Sequence, residues 1–229
     1  MRKLLVAAFV VLSAAAPAVA QDHPIGVNFG FGWVFPTMDF KNDFNTGWNG
    51  TIGVQYNFSP TVSFLADYTY AHMNGPEKNI TVFPNPNGGA GSSALIQSNH
   101  QMHVGTFDIV YNPPHSGAVG GYVLGGVGVY HRLVQLTTPA TGYTTVCDPY
   151  WYVCYPTLVP VNVIIGDRSE NDFGINFGGG VTFGTEGKFY VETRYHYVWG
   201  KTLTPPAGVT LSSTNSNAAY FPITLGFRW

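Results

Sequence analysis

Hydrophobic and polar residues alternate with a period of two along several stretches of the chain. In the C-terminal stretch, Phe221, Ile223, Leu225, Phe227 and Trp229 alternate with small or polar residues. A strand directs successive side chains to opposite faces, so this stretch predicts a strand with one wholly apolar face. Seven other stretches show related patterns. The eight predicted strands are Ile25–Phe35, Trp48–Phe58, Val62–Ala71, Gln101–Tyr111, Val119–Leu136, Asp172–Phe183, Phe189–Trp199 and Ala219–Trp229.

The fifth predicted strand has no clear assignment of its two faces. Gly125-Gly126 lies in its middle, and paired glycines in a strand are typical of a β-bulge that switches the pattern. We therefore leave open which of its side chains point inward.

The connections between the predicted strands alternate in length. Short turns follow the second, fourth and sixth strands. Long loops follow the first, third, fifth and seventh, at about 36–47, 73–100, 137–171 and 201–217. In an up-and-down barrel, alternate connections emerge at opposite ends, so the four long loops share one end. An even number of strands of about 10 residues, with short turns at one end and long loops at the other, is typical of outer-membrane barrels. The sequence therefore predicts an all-β fold, an eight-stranded antiparallel up-and-down transmembrane β-barrel with short periplasmic turns and long extracellular loops.

The size of the predicted barrel indicates which face meets lipid. A soluble barrel would show the same alternation with its apolar face inward. Eight strands enclose little more than their own side chains, so the large apolar residues would overfill the lumen and must point outward. Aromatic residues near strand ends predict two interfacial girdles and, at the C-terminus, an insertion signal. These residues include Trp33, Trp48, Trp199, Phe227 and Trp229.

The first twenty residues have the pattern of a cleaved signal peptide. Arg2 and Lys3 precede an apolar run, and Ala18-Val19-Ala20 resembles a cleavage site. We expect residues 1–20 to be removed and residues 21–229 to form a single domain. The formal net charge is −2, and becomes about −4 without Arg2 and Lys3, which excludes a basic nucleic-acid-binding surface.

The chain contains two cysteines, Cys147 and Cys154, in the third long loop. An even number of cysteines in an exported chain favours a disulfide. The alternative, a metal or redox pair, lacks the C-x-x-C spacing and a nearby histidine. We therefore predict a Cys147–Cys154 disulfide and no metal site.

Several features together resemble a known family. They are the signal peptide, the eight strands, the glycine-rich stretch Tyr122–Tyr130, the stretch Phe189–Tyr195 and the aromatic terminus. The chain resembles the small outer-membrane β-barrel superfamily, the OmpA/OmpX-like and opacity-protein-like group. This resemblance implies a place in the Gram-negative outer membrane, insertion by the barrel-assembly machinery, contact with outer-membrane lipids and lipopolysaccharide, and possible host, phage or surface ligands at the loops. It implies no cofactor, and since the chain ends at Trp229, no cell-wall-binding domain is expected.

Charged residues occupy inferred lumen positions. Charges in a narrow interior need partners, and counting from the periplasmic turns places Asp67 near Arg194 in height and Asp108 near Glu192. We hypothesise an ion-pair network that plugs the lumen. Its members are Asp67, Asp108, Glu192, Arg194, His196 and Arg228.

His196 is the residue that most invites an enzymatic interpretation. Some small barrels are lipid A deacylases that use a histidine with a serine and an acid, but their His-x-Ser-Asn pattern is absent around His196. We therefore expect a lumen hydrogen bond near Glu192 or Arg194 and no catalytic residue. The predicted function is a non-enzymatic surface barrel that acts in envelope structure or in binding through its loops. The alternatives are a narrow porin-like channel and a lipid A-modifying enzyme.

Overall fold

Antiparallel strands make up most of the computed structural model, which describes residues 24–81, 93–114, 117–148, 150, 153–184, 188–203 and 214–229. The predicted signal peptide lies outside these residues. A 3-10 helix spans Met38–Asn42, and no helix of the described part is long and apolar enough to cross a membrane. The strands are β1 Ile25–Thr37, β2 Gly47–Asn57, β3 Val62–Asn74, β4 Lys78–Thr81, β5 Ser93–Tyr111, β6 Val119–Asp148, β7 Val153–Phe183, β8 Lys188–Trp199, β9 Thr202–Leu203, β10 Thr214–Asn215 and β11 Ala218–Arg228.

Eight of these strands form a closed ring. The order is β1, β2, β3, β5, β6, β7, β8 and β11, and β11 pairs with β1 again. The closing ladder runs from Asn28–Arg228 to Thr37–Ala219. Every neighbouring pair in the ring is antiparallel. The predicted eight-stranded up-and-down barrel is therefore confirmed.

The two faces of the barrel wall have opposite chemistry. Large apolar side chains on the outside are exposed, among them Phe31, Phe107 and Phe177, while inward polar residues such as Asn49 and Asn176 are buried. The prediction that the apolar face points outward is confirmed.

Three short connections join strands at one end of the barrel. In the first, the Ser59 hydroxyl accepts a hydrogen bond from the Val62 amide at 3.0 Å. The other two contain Gly117 and Gly184, which have φ values of 122° and 114°. Residues with a side chain rarely adopt such positive φ values, so glycine suits these two positions.

The suspected bulge at Gly125-Gly126 is absent. β6 pairs in continuous register with β5 and β7 through this stretch, so its even-numbered residues point inward from Gly120 to Arg132. A Cβ atom on Gly126 would collide with the Phe107 carbonyl oxygen of β5. Glycine therefore allows close approach of the two strands here. The register of β6 and β7 shifts instead at Leu136/Thr137.

The third long loop is not a loop, so the prediction for 137–171 was wrong. β6 and β7 continue to pair beyond the barrel as far as Asp148–Val153. We call the paired segments Thr138–Asp148 and Val153–Val163 the hairpin arm. Cys147 and Cys154 pair near its tip and are joined by a disulfide, which confirms the predicted bond.

The other long connections also contain more structure than predicted. β3 and β5 extend into the predicted 73–100 loop as far as the Asn74–Asn99 pair, and β4 pairs with β5 there. After β1, the 3-10 helix places Phe40 in the barrel mouth, where it joins a buried apolar cluster with Met73 and Met102. The lumen is therefore partly apolar near the end that carries the long connections.

Candidate functional site

A cluster of charges crosses the middle of the lumen, with Arg194 of β8 at its centre. The Arg194 Nη1 atom lies 2.6 Å from Asp67 Oδ2 and 3.0 Å from Asp108 Oδ2. Its Nε lies 2.5 Å from Glu192 Oε1. The side chains of all four residues are at least nine-tenths buried. One guanidinium therefore links carboxylates from β3, β5 and β8 across the lumen.

Neutral groups complete the hydrogen bonding of these carboxylates. The Thr106 hydroxyl lies 2.5 Å from Asp67 Oδ1 and 2.9 Å from Asp108 Oδ2. Asn176 Nδ2 donates to Asp108 Oδ1 at 2.8 Å. Hydrogen bonds of this kind offset the large desolvation cost of buried charge. We call Asp67, Asp108, Glu192 and Arg194 the lumen plug.

Arg228 lies below the plug, towards the short turns. Its Nη2 is 3.7 Å from Glu192 Oε2, and its guanidinium stacks over the rings of Tyr122 and Tyr190. The Tyr122 hydroxyl donates to Glu192 at 2.6 Å. Glu192 thus connects Arg228 to the plug.

His196 occupies a different environment from the one expected. Its Nδ1 lies 2.9 Å from the Tyr130 hydroxyl, and its ring stacks on Tyr220 with a centroid distance of 4.7 Å. The expected hydrogen bond to Glu192 or Arg194 is therefore replaced by an aromatic layer above the plug. No hydroxyl nucleophile paired with an acid stands beside His196 among its described contacts.

A second ion-pair group lies nearer the mouth and was missed by sequence reasoning. Arg132 Nη2 lies 2.5 Å from Asp172 Oδ2 and 3.6 Å from Glu170 Oε2, and Arg132 Nη1 donates to the Ser216 carbonyl at 2.7 Å. Arg132 lies on the fifth predicted strand, whose two faces the sequence did not assign, so its inward position was not predicted. Alternation continues without a break up to Arg132, with the even-numbered residues on one face, and this pattern could have placed Arg132 on the inward face.

The mouth above this ion pair contains a cavity of about 710 Å³. A second cavity of about 350 Å³ lies against β6 and β7. Both are lined by His100, Arg132, Val134, Leu136 and Ser216. We call the two together the vestibule.

The hairpin arm exposes apolar side chains. Tyr143 is 83% exposed, and Val146, Tyr155 and Leu158 are more than half exposed. Its paired segments carry a single charged residue, Asp148. Solvated surfaces usually carry more charge, so the arm has an unusually apolar surface.

The comparison with protein families gives a decisive match. The model of the outer membrane protein beta-barrel domain matches residues 4–228. The chain belongs to this family. The barrel is therefore an outer-membrane barrel, its exposed apolar wall faces lipid, and the predicted localisation in the outer membrane is confirmed.

Several solved barrels are similar to this family member in architecture. Neisserial surface protein A matches with 14% identity, a TM-score of 0.48 and coverage of 90% of this chain and 96% of that chain. Ail of Yersinia pestis, solved with the heparin analogue sucrose octasulfate, matches with 13% identity, a TM-score of 0.41 and coverage of 90% and 97%. OprG of Pseudomonas aeruginosa matches with 12% identity, a TM-score of 0.45 and coverage of 90% and 95%. The comparison with curated proteins found no match.

Aromatic residues lie at both ends of the outer-membrane barrel wall. Near the short turns, Trp229 contacts Phe29 and Phe227 with centroid distances of 5.9 and 4.6 Å. Towards the other end, Trp48 pairs with Trp33 and contacts Phe31 at 5.8 Å. Trp199 packs on Tyr197 at 5.7 Å. This distribution is typical of residues at the two membrane–water interfaces.

Proposed function

We propose that this protein is a non-enzymatic, non-conducting surface barrel that binds external partners through its hairpin arm. The observation that carries the proposal is the arm itself. It projects beyond the membrane barrel, has an apolar surface, and is closed near its tip by a disulfide. An apolar projection of this kind is suited to contact with apolar surfaces outside the cell, because burying it removes apolar area from water.

The lumen plug supports the non-conducting part of the proposal. An eight-stranded barrel has little room beyond its own side chains, and here Arg194 and its carboxylates bridge that space.

Cell-surface hydrophobicity tests the role of the arm. Cells that express the protein should partition into hexadecane more than cells with the empty vector. A variant in which residues 138–163 are replaced by a short Asn-Gly turn should lose this gain. A matched control keeps the arm and carries Val146→Ala alone, which removes one of many apolar residues and should retain most of the gain. Equal partitioning of full-length and shortened proteins, at equal surface levels, would argue against the arm as the binding surface.

Two further measurements test the other parts of the proposal. Planar bilayers containing the purified protein should show no steady conductance, and a large, stable conductance would support the channel. Lipid A from cells with and without the protein should have the same mass spectrum, whereas a new deacylated or modified species would support the enzyme.

A further inference from the structure

His100 of β5 lies inside the barrel mouth with its polar atoms unused. The residue is 1% exposed, and neither Nδ1 nor Nε2 has a hydrogen-bond partner among the described residues. An imidazole always carries a donor or an acceptor at each nitrogen. Leaving such a buried group unsatisfied is unfavourable for the folded state. The ring therefore has an unused capacity for a hydrogen bond.

Two aromatic rings hold His100 in place at the wall of the vestibule. Its centroid lies 5.2 Å from that of Phe40 and 4.8 Å from that of Phe44. Phe40 is itself buried in the apolar cluster of the mouth. The imidazole is thus fixed by packing rather than by polar contacts, and it lines both cavities of the vestibule.

The rest of the vestibule wall combines apolar, neutral polar and charged side chains. The apolar side chains are Phe40, Phe44, Ile96, Val134 and Leu136, and the neutral polar ones are Ser98, Asn215, Ser216 and Asn217. Small-molecule sites are typically concave, have volumes of about 300–1,000 Å³, and combine an apolar lining with a few placed polar groups. The volumes of both cavities fall in that range.

Charge selects against anions in the vestibule. Its lining cations are Lys78, Arg132 and Arg168, and each one is held by a carboxylate. Asp39 and Asp167 add negative charge to the lining. An anionic ligand would therefore meet repulsion without a free cation to offset it.

We propose that the vestibule binds an uncharged amphipathic small molecule. Its apolar ring or chain packs against Phe44, Val134 and Leu136, and a hydroxyl or carbonyl group forms a hydrogen bond with His100. The Arg132–Asp172 ion pair and the lumen plug lie below the vestibule, so the site holds its ligand instead of passing it through the barrel. This site does not depend on the hairpin arm, and either proposal stands if the other fails.

Nuclear magnetic resonance of the full chain in lipid nanodiscs tests the site. With methyl-labelled valine and leucine, the Val134 and Leu136 signals report binding without relying on His100. The probe is 4-ethylphenol, compared with ethylbenzene, which lacks the hydroxyl, and 4-ethylbenzoate, which is anionic. We expect saturable shifts with 4-ethylphenol, and binding about tenfold weaker for each of the other two probes, as loss of one hydrogen bond or added repulsion predicts.

Two variants separate His100 from the general apolarity of the site. His100→Phe should keep the packing on Phe40 and Phe44 but bind 4-ethylphenol and ethylbenzene equally. The control, His131→Phe, changes an outward-facing histidine whose Nδ1 lies 2.7 Å from Asn171 Oδ1, and it should leave binding unchanged. The proposal is overturned by unsaturable shifts of both methyl signals, by an unaltered phenol preference in His100→Phe, or by equally tight binding of the benzoate.

Discussion

At the residue scale, the structure depends on one buried cation that serves three carboxylates. Replacing Arg194 by methionine keeps similar side-chain length but leaves Asp67, Asp108 and Glu192 without their shared partner. Removing one partner of a buried ion pair typically costs about 3–5 kcal/mol. We therefore expect Arg194→Met to lower the free energy of unfolding by about that amount, measured by urea unfolding of the barrel in lipid vesicles.

An exposed arginine supplies the control for this measurement. Arg168 pairs with Glu170, but its side chain is 56% exposed, and exposed pairs contribute about 0–1 kcal/mol. Arg168→Met should therefore change stability little. Equal losses of unfolding free energy in the two variants would mean that burial in the lumen does not determine how much the lumen plug stabilises the barrel.

The positions of the individual charges were only partly predictable from the sequence. Alternation assigns a side chain to a face, so Asp67, Asp108 and Arg194 could be placed inside the lumen. Alternation does not give the rotamer or the height around a tilted barrel. Counting from the turns matches Asp67 with Arg194, as the structure does. The contacts of Arg194 with Asp108 and of His196 with Tyr130 and Tyr220 were not predicted.

At the element scale, the contrast between lipid and lumen explains which strands the sequence predicts. Inside the membrane, one side of each strand faces lipid and the other faces the polar lumen. Period-two alternation of apolar and polar residues therefore predicts the barrel strands. The hairpin arm has water on both sides, and its apolar residues follow no such contrast. Prolines also argue against a strand, yet Pro139, Pro156 and Pro160 fit here because each strand of a two-stranded ribbon has an unpaired edge. This explains why the 137–171 prediction failed.

The stability of the hairpin arm should depend on its disulfide. Beyond Thr138, whose hydroxyl donates to the Leu95 carbonyl oxygen at 2.9 Å, the two strands of the arm pair only with each other in the described sheet. An isolated two-stranded hairpin is marginally stable in water. We expect Cys147→Ser/Cys154→Ser to raise the rate of protease cleavage within residues 138–163. The barrel itself should keep its fast-migrating band on an unboiled gel, since its ring of ladders is untouched.

Reduction of the wild-type protein provides the comparison for this double variant. Both should show the same cleavage pattern, and the double variant should not respond to reductant. Cleavage that stays at the oxidised wild-type rate would show that pairing alone holds the arm together. Loss of the fast-migrating band would instead link the disulfide to barrel folding.

At the scale of the whole molecule, the same strand passes through two solvents, and β6 allows a direct comparison between them. Val127 lies midway along the barrel part of β6, and Val146 lies on the hairpin arm. The two side chains are similarly exposed, at 59% and 54%.

Outward-facing arginine near the bilayer midplane costs a barrel about 2–4 kcal/mol, whereas arginine on a water-facing strand costs little. Val127→Arg should therefore lower the free energy of unfolding in vesicles by about 2–4 kcal/mol, while Val146→Arg should leave it nearly unchanged. In short-chain detergent, where an outward-facing charge reaches water more easily, the difference in unfolding free energy between the two variants should be smaller. Similar losses for both in vesicles would contradict the assignment of one half of β6 to lipid and the other to water.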